Sequence, residues 1–270
     1  MTFSSFGISN FAWPPEEWSA ALPFVRTRGV TAIEVAPFNF FKSWDTPDSD
    51  IRALKAQIVD AGMTCVAMQG ILYEAPQVHL FASESARNAL RAHLAKIARM
   101  ANLLGAKVCV FGGPKQRDPG SLTATQAWDI AVDFFRAIGP IFADHGTAIA
   151  FEANAQLYGC RFIVTTQEAA AFVSAVGHRG CGLQIDTGTI FLENEDPAVL
   201  RNVASLAVHA HVSEPALNPI GTSAVDHGPV AAALKSSGYC GSVSIEMKAV
   251  ADWRSAVARA ISFVNGTYLA

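Results

Sequence analysis

The chain has 270 residues, 51% of them hydrophobic and 16% charged, which is too apolar and too weakly charged for a disordered polypeptide. Its 20 basic and 23 acidic residues leave a formal charge of −3, so the basic footprint of a nucleic-acid binder is missing. No apolar run reaches the roughly 18–20 residues of a membrane span.

In chain order, apolar runs at 6–9, 31–36, 64–69, 107–112, 148–153, 181–186, 207–212 and 242–247 read as strands. Their nearly continuous apolar character is that of parallel strands buried on both faces. Helical patterns separate them. Leu90, Leu94, Ile97, Ala101 and Leu104 form one apolar stripe over 83–104, with Ser83 as N-cap and Gly105 past the end. Ile130, Phe134, Ile138 and Ile141 do the same over 125–145, where Gly139-Pro140 is expected to bend or break the helix. Trp253, Val257, Ile261 and Val264 mark the last one. Eight βα units with no linker or composition shift predict an α/β fold, a single (β/α)8 TIM barrel over 1–270. The rival, an open doubly wound sheet, often carries a glycine-rich phosphate turn after strand one, where this chain reads SNFAWPPEEW.

Barrels place their chemistry at the C-terminal ends of the strands. Glu152 ends strand five, Asp186 ends strand six, His211 lies near the end of strand seven and Glu246 ends strand eight. Each follows the last by about one βα unit, so in a closed barrel they converge on the axis. A strand-end cap or ion pair explains any one of them, but not all four. Three carboxylates crowded in an apolar mouth repel one another unless a cation joins them. Oxygen-rich ligation with one imidazole suits one divalent metal ion such as Mn²⁺, Mg²⁺ or Co²⁺, with Zn²⁺ also compatible.

The fragments FEAN, QIDTG, HAHVSEP and SIEMK resemble the sugar phosphate isomerase/epimerase family of xylose isomerase-like barrels. They are most similar to its D-tagatose 3-epimerase and hydroxypyruvate isomerase branch. The resemblance covers the whole chain and is strongest over 148–248. It implies that Glu152, Asp186, His211 and Glu246 hold one metal, first of all manganese, and that Glu152 and Glu246 are also the acid/base pair. It implies a small carbohydrate substrate and a homodimer or homotetramer; the charge and the absence of a long apolar run leave no nucleic-acid or membrane partner expected. The chemistry expected is proton transfer beside a metal-chelated carbonyl through an enediolate, giving epimerisation or aldose–ketose isomerisation. The alternatives are dehydration of a sugar or inosose by the same site, or a sugar-binding barrel without turnover. A DNA-repair endonuclease of this fold would need more than the seven histidines present, and a basic groove.

The departures from that branch concern the grip on substrate. Thr189 stands where the branch has a histidine, Tyr158 where it has a second glutamate, and Leu217 where it has an arginine, while Glu214 is kept. Further candidates for substrate contact are Glu34 and Gln69 at the ends of strands two and three, His209 beside His211, and Lys248 beyond Glu246. Lys115 and Arg117 in the loop after strand four complete a set of cations for a phosphate or carboxylate. Phe11, Trp13, Phe38, Phe40 and Trp44 in the first two βα loops are candidates for an apolar wall. The five cysteines include no CxxC pair and the N-terminal residues show no signal-peptide pattern. A cytoplasmic setting without disulfides is therefore expected.

Overall fold

The computed structural model describes residues 3–270. Eight parallel strands close into a barrel in sequence order: β1 (Ser5–Ser9), β2 (Ala32–Val35), β3 (Thr64–Met68), β4 (Val108–Phe111), β5 (Ala148–Glu152), β6 (Cys181–Asp186), β7 (Ala207–Val212) and β8 (Ser242–Ile245). Closure is made by the two ends of the chain, with Ser5 opposite Ser242 and Ile8 opposite Ile245. Around the barrel lie α1 (Trp18–Arg26), α2 (Asp48–Asp60), α3 (Glu84–Leu104), α4 (Ala124–Asp144), α5 (Thr166–Val176), α6 (Thr187–Leu192), α7 (Val199–Val203), α8 (His227–Ser236) and α9 (Trp253–Val264). No helix among the described residues is long and apolar enough to cross a membrane.

The period of two along each strand sorts the side chains. Cys109, Phe111, Ile149 and Phe151 join the large core shared with the helices. Their neighbours Val108, Val110 and Ala150, with Ala67, form a separate small cluster within the barrel. That lumen is narrow: a Cβ at Gly7 would sit 2.8 Å from Ser244 Oγ. Polar residues also occupy it, with Glu34, Gln184, His209, His211 and Ser244 all buried.

The expected start and stop signals act as read. Ser83 Oγ accepts from Ala86 N, and Gly105 ends α3 in the left-handed conformation. One expectation is corrected. Gly139-Pro140 does not break the helix, because α4 runs through both. Tertiary packing holds it there: a Cβ on Gly180 would lie 2.0 Å from the Gly139 carbonyl oxygen, so the start of β6 is pressed directly against this turn.

After α9 a π-helical turn, Asn265–Leu269, tucks Tyr268 completely out of solvent. Its hydroxyl lies 2.7 Å from His227 Nδ1 at the start of α8.

Candidate metal centre and active site

The strand ends bring Glu152, Asp186, His211 and Glu246 into one cluster at the barrel mouth. Asp186 and His211 are register partners on β6 and β7. Glu246 directly follows β8, its N–H donating to Val212 O at 3.0 Å. His211 Nδ1 lies 3.2 Å from Glu246 Oε2, 3.5 Å from Glu152 Oε1 and 4.0 Å from Asp186 Oδ2. That nitrogen is buried and has no hydrogen-bond partner. Glu152, Asp186 and His211 each offer one ligand atom, and these lie within 4.8 Å of one another.

Neighbouring groups fix the carboxylates. Asn154 Nδ2 donates to Glu152 Oε2 at 2.8 Å. Asp186 caps α6, with Oδ1 accepting from Thr189 N at 2.6 Å and Oδ2 from Ser213 Oγ at 2.6 Å. Asn154 and Ser213 were not among the expected site residues. Each stands two positions beyond a strand-end candidate, Glu152 or His211, and that spacing was the available signal. Gly112 supports Glu152 by having no side chain, since a Cβ there would lie 2.7 Å from Glu152 Oε2. Gly112→Ala is therefore expected to weaken ion binding or turnover roughly 10- to 100-fold, as a misplacement of about 1 Å can. Its thermal midpoint should stay near wild type. Calorimetry with Mn²⁺ beside a melting curve checks this, and unchanged affinity and rate would refute it.

The other expected contacts divide. Tyr158 borders the larger of two cavities at the carboxylates, and its hydroxyl accepts from Ala216 N at 2.8 Å. Gln69 borders the smaller one and donates to Ser9 Oγ. Glu214 also borders the larger cavity, but its carboxylate is already engaged by Gly221 N and by Ser223 N at 2.7 Å.

Glu34 does not line either cavity. It is fully buried inside the barrel, where it meets His209 and His211. The three cations are likewise not gathered at the carboxylates. Arg117 is enclosed, donating to Glu152 O at 2.7 Å and Asn154 Oδ1 at 2.9 Å. Lys115 is exposed in a separate cleft with His79 and Asp118, and Lys248 is exposed and lines neither cavity. The geometry of the loop after β4, a left-handed Gly113 followed by a 3₁₀ turn at Pro114–Arg117, separates Lys115 from Arg117. Of the aromatics, Phe11 borders the smaller cavity with Tyr73, and Phe38 stacks on Tyr73 at 4.1 Å between ring centroids. Trp13 is buried in the core.

The electrostatics of the cluster are set by burial and crowding. Burial pushes the Glu246 carboxyl up to about 7; Glu152 and Asp186 reinforce the shift, and His211 opposes it. Burial and the neighbouring Glu152 raise Asp186 as well. Burial disfavours the His211 imidazolium, but Glu34 and Glu246 overcome that and hold its pKa well above the ordinary range. Burial also works against the Glu34 carboxylate, and His211 and His209 reverse the balance, keeping it well below the usual range.

These directions give a sign for pH. Glu246 and His211 both have raised folded pKa values, so their contribution to the ion-free fold is present at low pH. It is lost as pH rises from about 4.5 through about 7 for Glu246. An ion needs both groups deprotonated, so its affinity should rise over the same window, with protons released on binding. With chelator present, the thermal midpoint is expected to fall as pH rises from about 4.5 through about 7, and with Mn²⁺ present to rise over that window. A midpoint insensitive to both would refute the assignment.

The sequence signature of the xylose isomerase-like TIM barrel matches residues 22–265. The chain belongs to that family. Crystal structures similar to it include D-psicose 3-epimerase with D-tagatose from Clostridium cellulolyticum H10, at TM-score 0.82 and 18% identity, covering 98% of this chain and 100% of that one. L-ribulose 3-epimerase matches at TM-score 0.83 and 18% identity, over 99% of this chain and 95% of that one. A family 2 AP endonuclease from Brucella melitensis matches at 0.77 and 16%, over 94% and 97%. At such identities the likeness is one of fold. The choice of chemistry within the family falls to the residues of the site.

Proposed function

We propose that this chain is a divalent-metal-dependent isomerase or epimerase of a sugar or related hydroxycarbonyl compound. The observation that carries the reading is His211 Nδ1, a buried nitrogen with no hydrogen-bond partner, ringed by three carboxylates. A buried polar atom left without a partner is costly. Glu152, Asp186, His211 and Glu246 fit a divalent ion, and their three-oxygen, one-nitrogen donor set suits Mn²⁺ first, then Mg²⁺, Co²⁺ or Zn²⁺. Such an ion supplies Lewis-acid polarisation of a bound carbonyl.

The chain's own residues then have the task of moving a proton. Asn154 holds one oxygen of Glu152, whereas among the described residues no hydrogen bond holds the Glu246 carboxylate, which has only His211 Nδ1 beside it at 3.2 Å. Glu246 is thus the freer carboxylate to take the proton beside the carbonyl, and Glu152, entering the cycle protonated, the group that delivers one; the pair is reset by proton exchange with solvent. Return to the same carbon gives an epimer, and return to its neighbour gives an isomer. Glu152 and Glu246 border both cavities, of about 260 and 410 Å³. Among the described residues no lysine or arginine lines either one. That supports an uncharged sugar over a sugar phosphate, sugar acid or phosphodiester.

The test is metal content by mass spectrometry followed by solvent-deuterium uptake into a panel of free ketoses. About one divalent ion per chain with exchange into at least one ketose is expected. A protein that takes up no ion from Mn²⁺, Co²⁺ or Zn²⁺ would overturn the reading.

A further inference from the structure

Beneath the mouth lies a second polar cluster that proton transfer by Glu152 and Glu246 leaves unused. Glu34 on β2 and His209 and His211 on β7 are each fully buried. His211 Nε2 lies 2.9 and 3.0 Å from the two oxygens of Glu34, and His209 Nε2 lies 3.1 Å from Oε2. One carboxylate therefore receives both imidazoles. A carboxylate accepts and does not donate, so each ring must carry its proton on Nε2 to make these bonds. In neutral His211, the form that can ligate an ion, that choice leaves the lone pair on Nδ1, the nitrogen that faces Glu152, Asp186 and Glu246.

We propose that Glu34 is a positioning residue. It fixes the ring plane and the Nε2–H tautomer of His211, with His209 holding the carboxylate from a second side, and so sets the affinity of the mouth for a divalent ion. The arrangement follows the general rule that a ligating imidazole is oriented by the acceptor on its other nitrogen. The inference rests on the reading of His211 Nδ1 as a ligand atom.

The experiment compares wild type with Glu34→Gln and His209→Gln. Zn²⁺ and Mn²⁺ dissociation constants come from chelator competition, thermal midpoints from the ion-free proteins, and the protonated nitrogen of His211 from long-range ¹H–¹⁵N spectra of the Zn²⁺-loaded protein. A glutamine amide at 34 can present N–H to the ring in place of an acceptor. Glu34→Gln is therefore expected to weaken both ions about 10- to 100-fold. His209→Gln keeps a donor to Glu34 and should stay much closer to wild type. In Zn²⁺-loaded wild type, His211 should keep its proton on Nε2 and bind through Nδ1.

Three results would overturn the proposal: unchanged ion affinity in Glu34→Gln, a His211 bound through Nε2, or two ions per wild-type chain, which would make Glu34 and His209 ligands. A purely structural role would lower the midpoint of Glu34→Gln without moving the affinity. If Glu34→Gln fails to fold, the wild-type nitrogen assignment decides alone. A wild type that binds neither ion sinks the underlying reading and the proposal together, whereas a normal wild type with an indifferent Glu34→Gln sinks the proposal alone.

Discussion

Glu246→Gln is expected to lower deuterium exchange into a ketose substrate by roughly 10²–10⁴-fold at saturating Mn²⁺, the range a positioned general base contributes. The variant keeps an oxygen for the ion and loses the ability to take a proton. The asymmetry of the pair sharpens the expectation. Glu152 Oε2 already accepts from Asn154, while Glu246 has only His211 against it among the described residues. Glu246 also borders both cavities with 12% of its side chain exposed, enough to meet a bound molecule. Rates measured across a Mn²⁺ titration separate lost proton transfer from lost ion. A Glu246→Gln protein that exchanges at the wild-type rate would remove this residue from the chemistry.

Arg117→Met is expected to destabilise the fold by about 2–6 kcal/mol. Two part-buried acceptors, Glu152 O and Asn154 Oδ1, would lose their donor, at about 1–3 kcal/mol each. For a chain of this size that is roughly 10 °C in thermal midpoint. The guanidinium also lies 4.8 Å from the Phe151 ring centroid, so its flat face is part of the packing. Activity should fall further than stability alone explains, because Arg117 holds Asn154 and Asn154 holds Glu152. Differential scanning calorimetry beside exchange rates well below the melting range checks both parts. An unchanged midpoint would mean that the cost of burying the cation cancels its hydrogen bonds.

The barrel and its mouth were largely legible in the sequence. Strands buried on both faces write themselves as apolar runs, and polar residues ending four successive runs are visible without coordinates. Depth within the barrel was not legible. Glu34 and Glu152 both face inward by strand parity, yet Glu34 is fully buried beneath His211 while Glu152 reaches the cavities. The stagger between strands sets that difference, including the register shift between Ile33 and Glu34 against β3, and periodicity within one strand carries no record of it. The direction of Lys115 and Arg117 was hidden for a similar reason. They are two residues apart in one short turn, and one is exposed while the other is enclosed. In α4, local propensity pointed to a break at Gly139-Pro140 that packing against Gly180 overrides.

The pairing of β1 with β8 has a consequence for synthesis. While the chain is leaving the ribosome, its first strand has β2 on one side and nothing on the other until β8 has emerged. Glu246 directly follows β8, so a nascent chain cannot bring Glu152, Asp186, His211 and Glu246 together before β8 has been made. Prematurely terminated products would carry two unpaired parallel edges, the kind of surface that recruits strands from other chains. Such fragments should collect in inclusion bodies or on chaperones, while the full-length chain closes on itself.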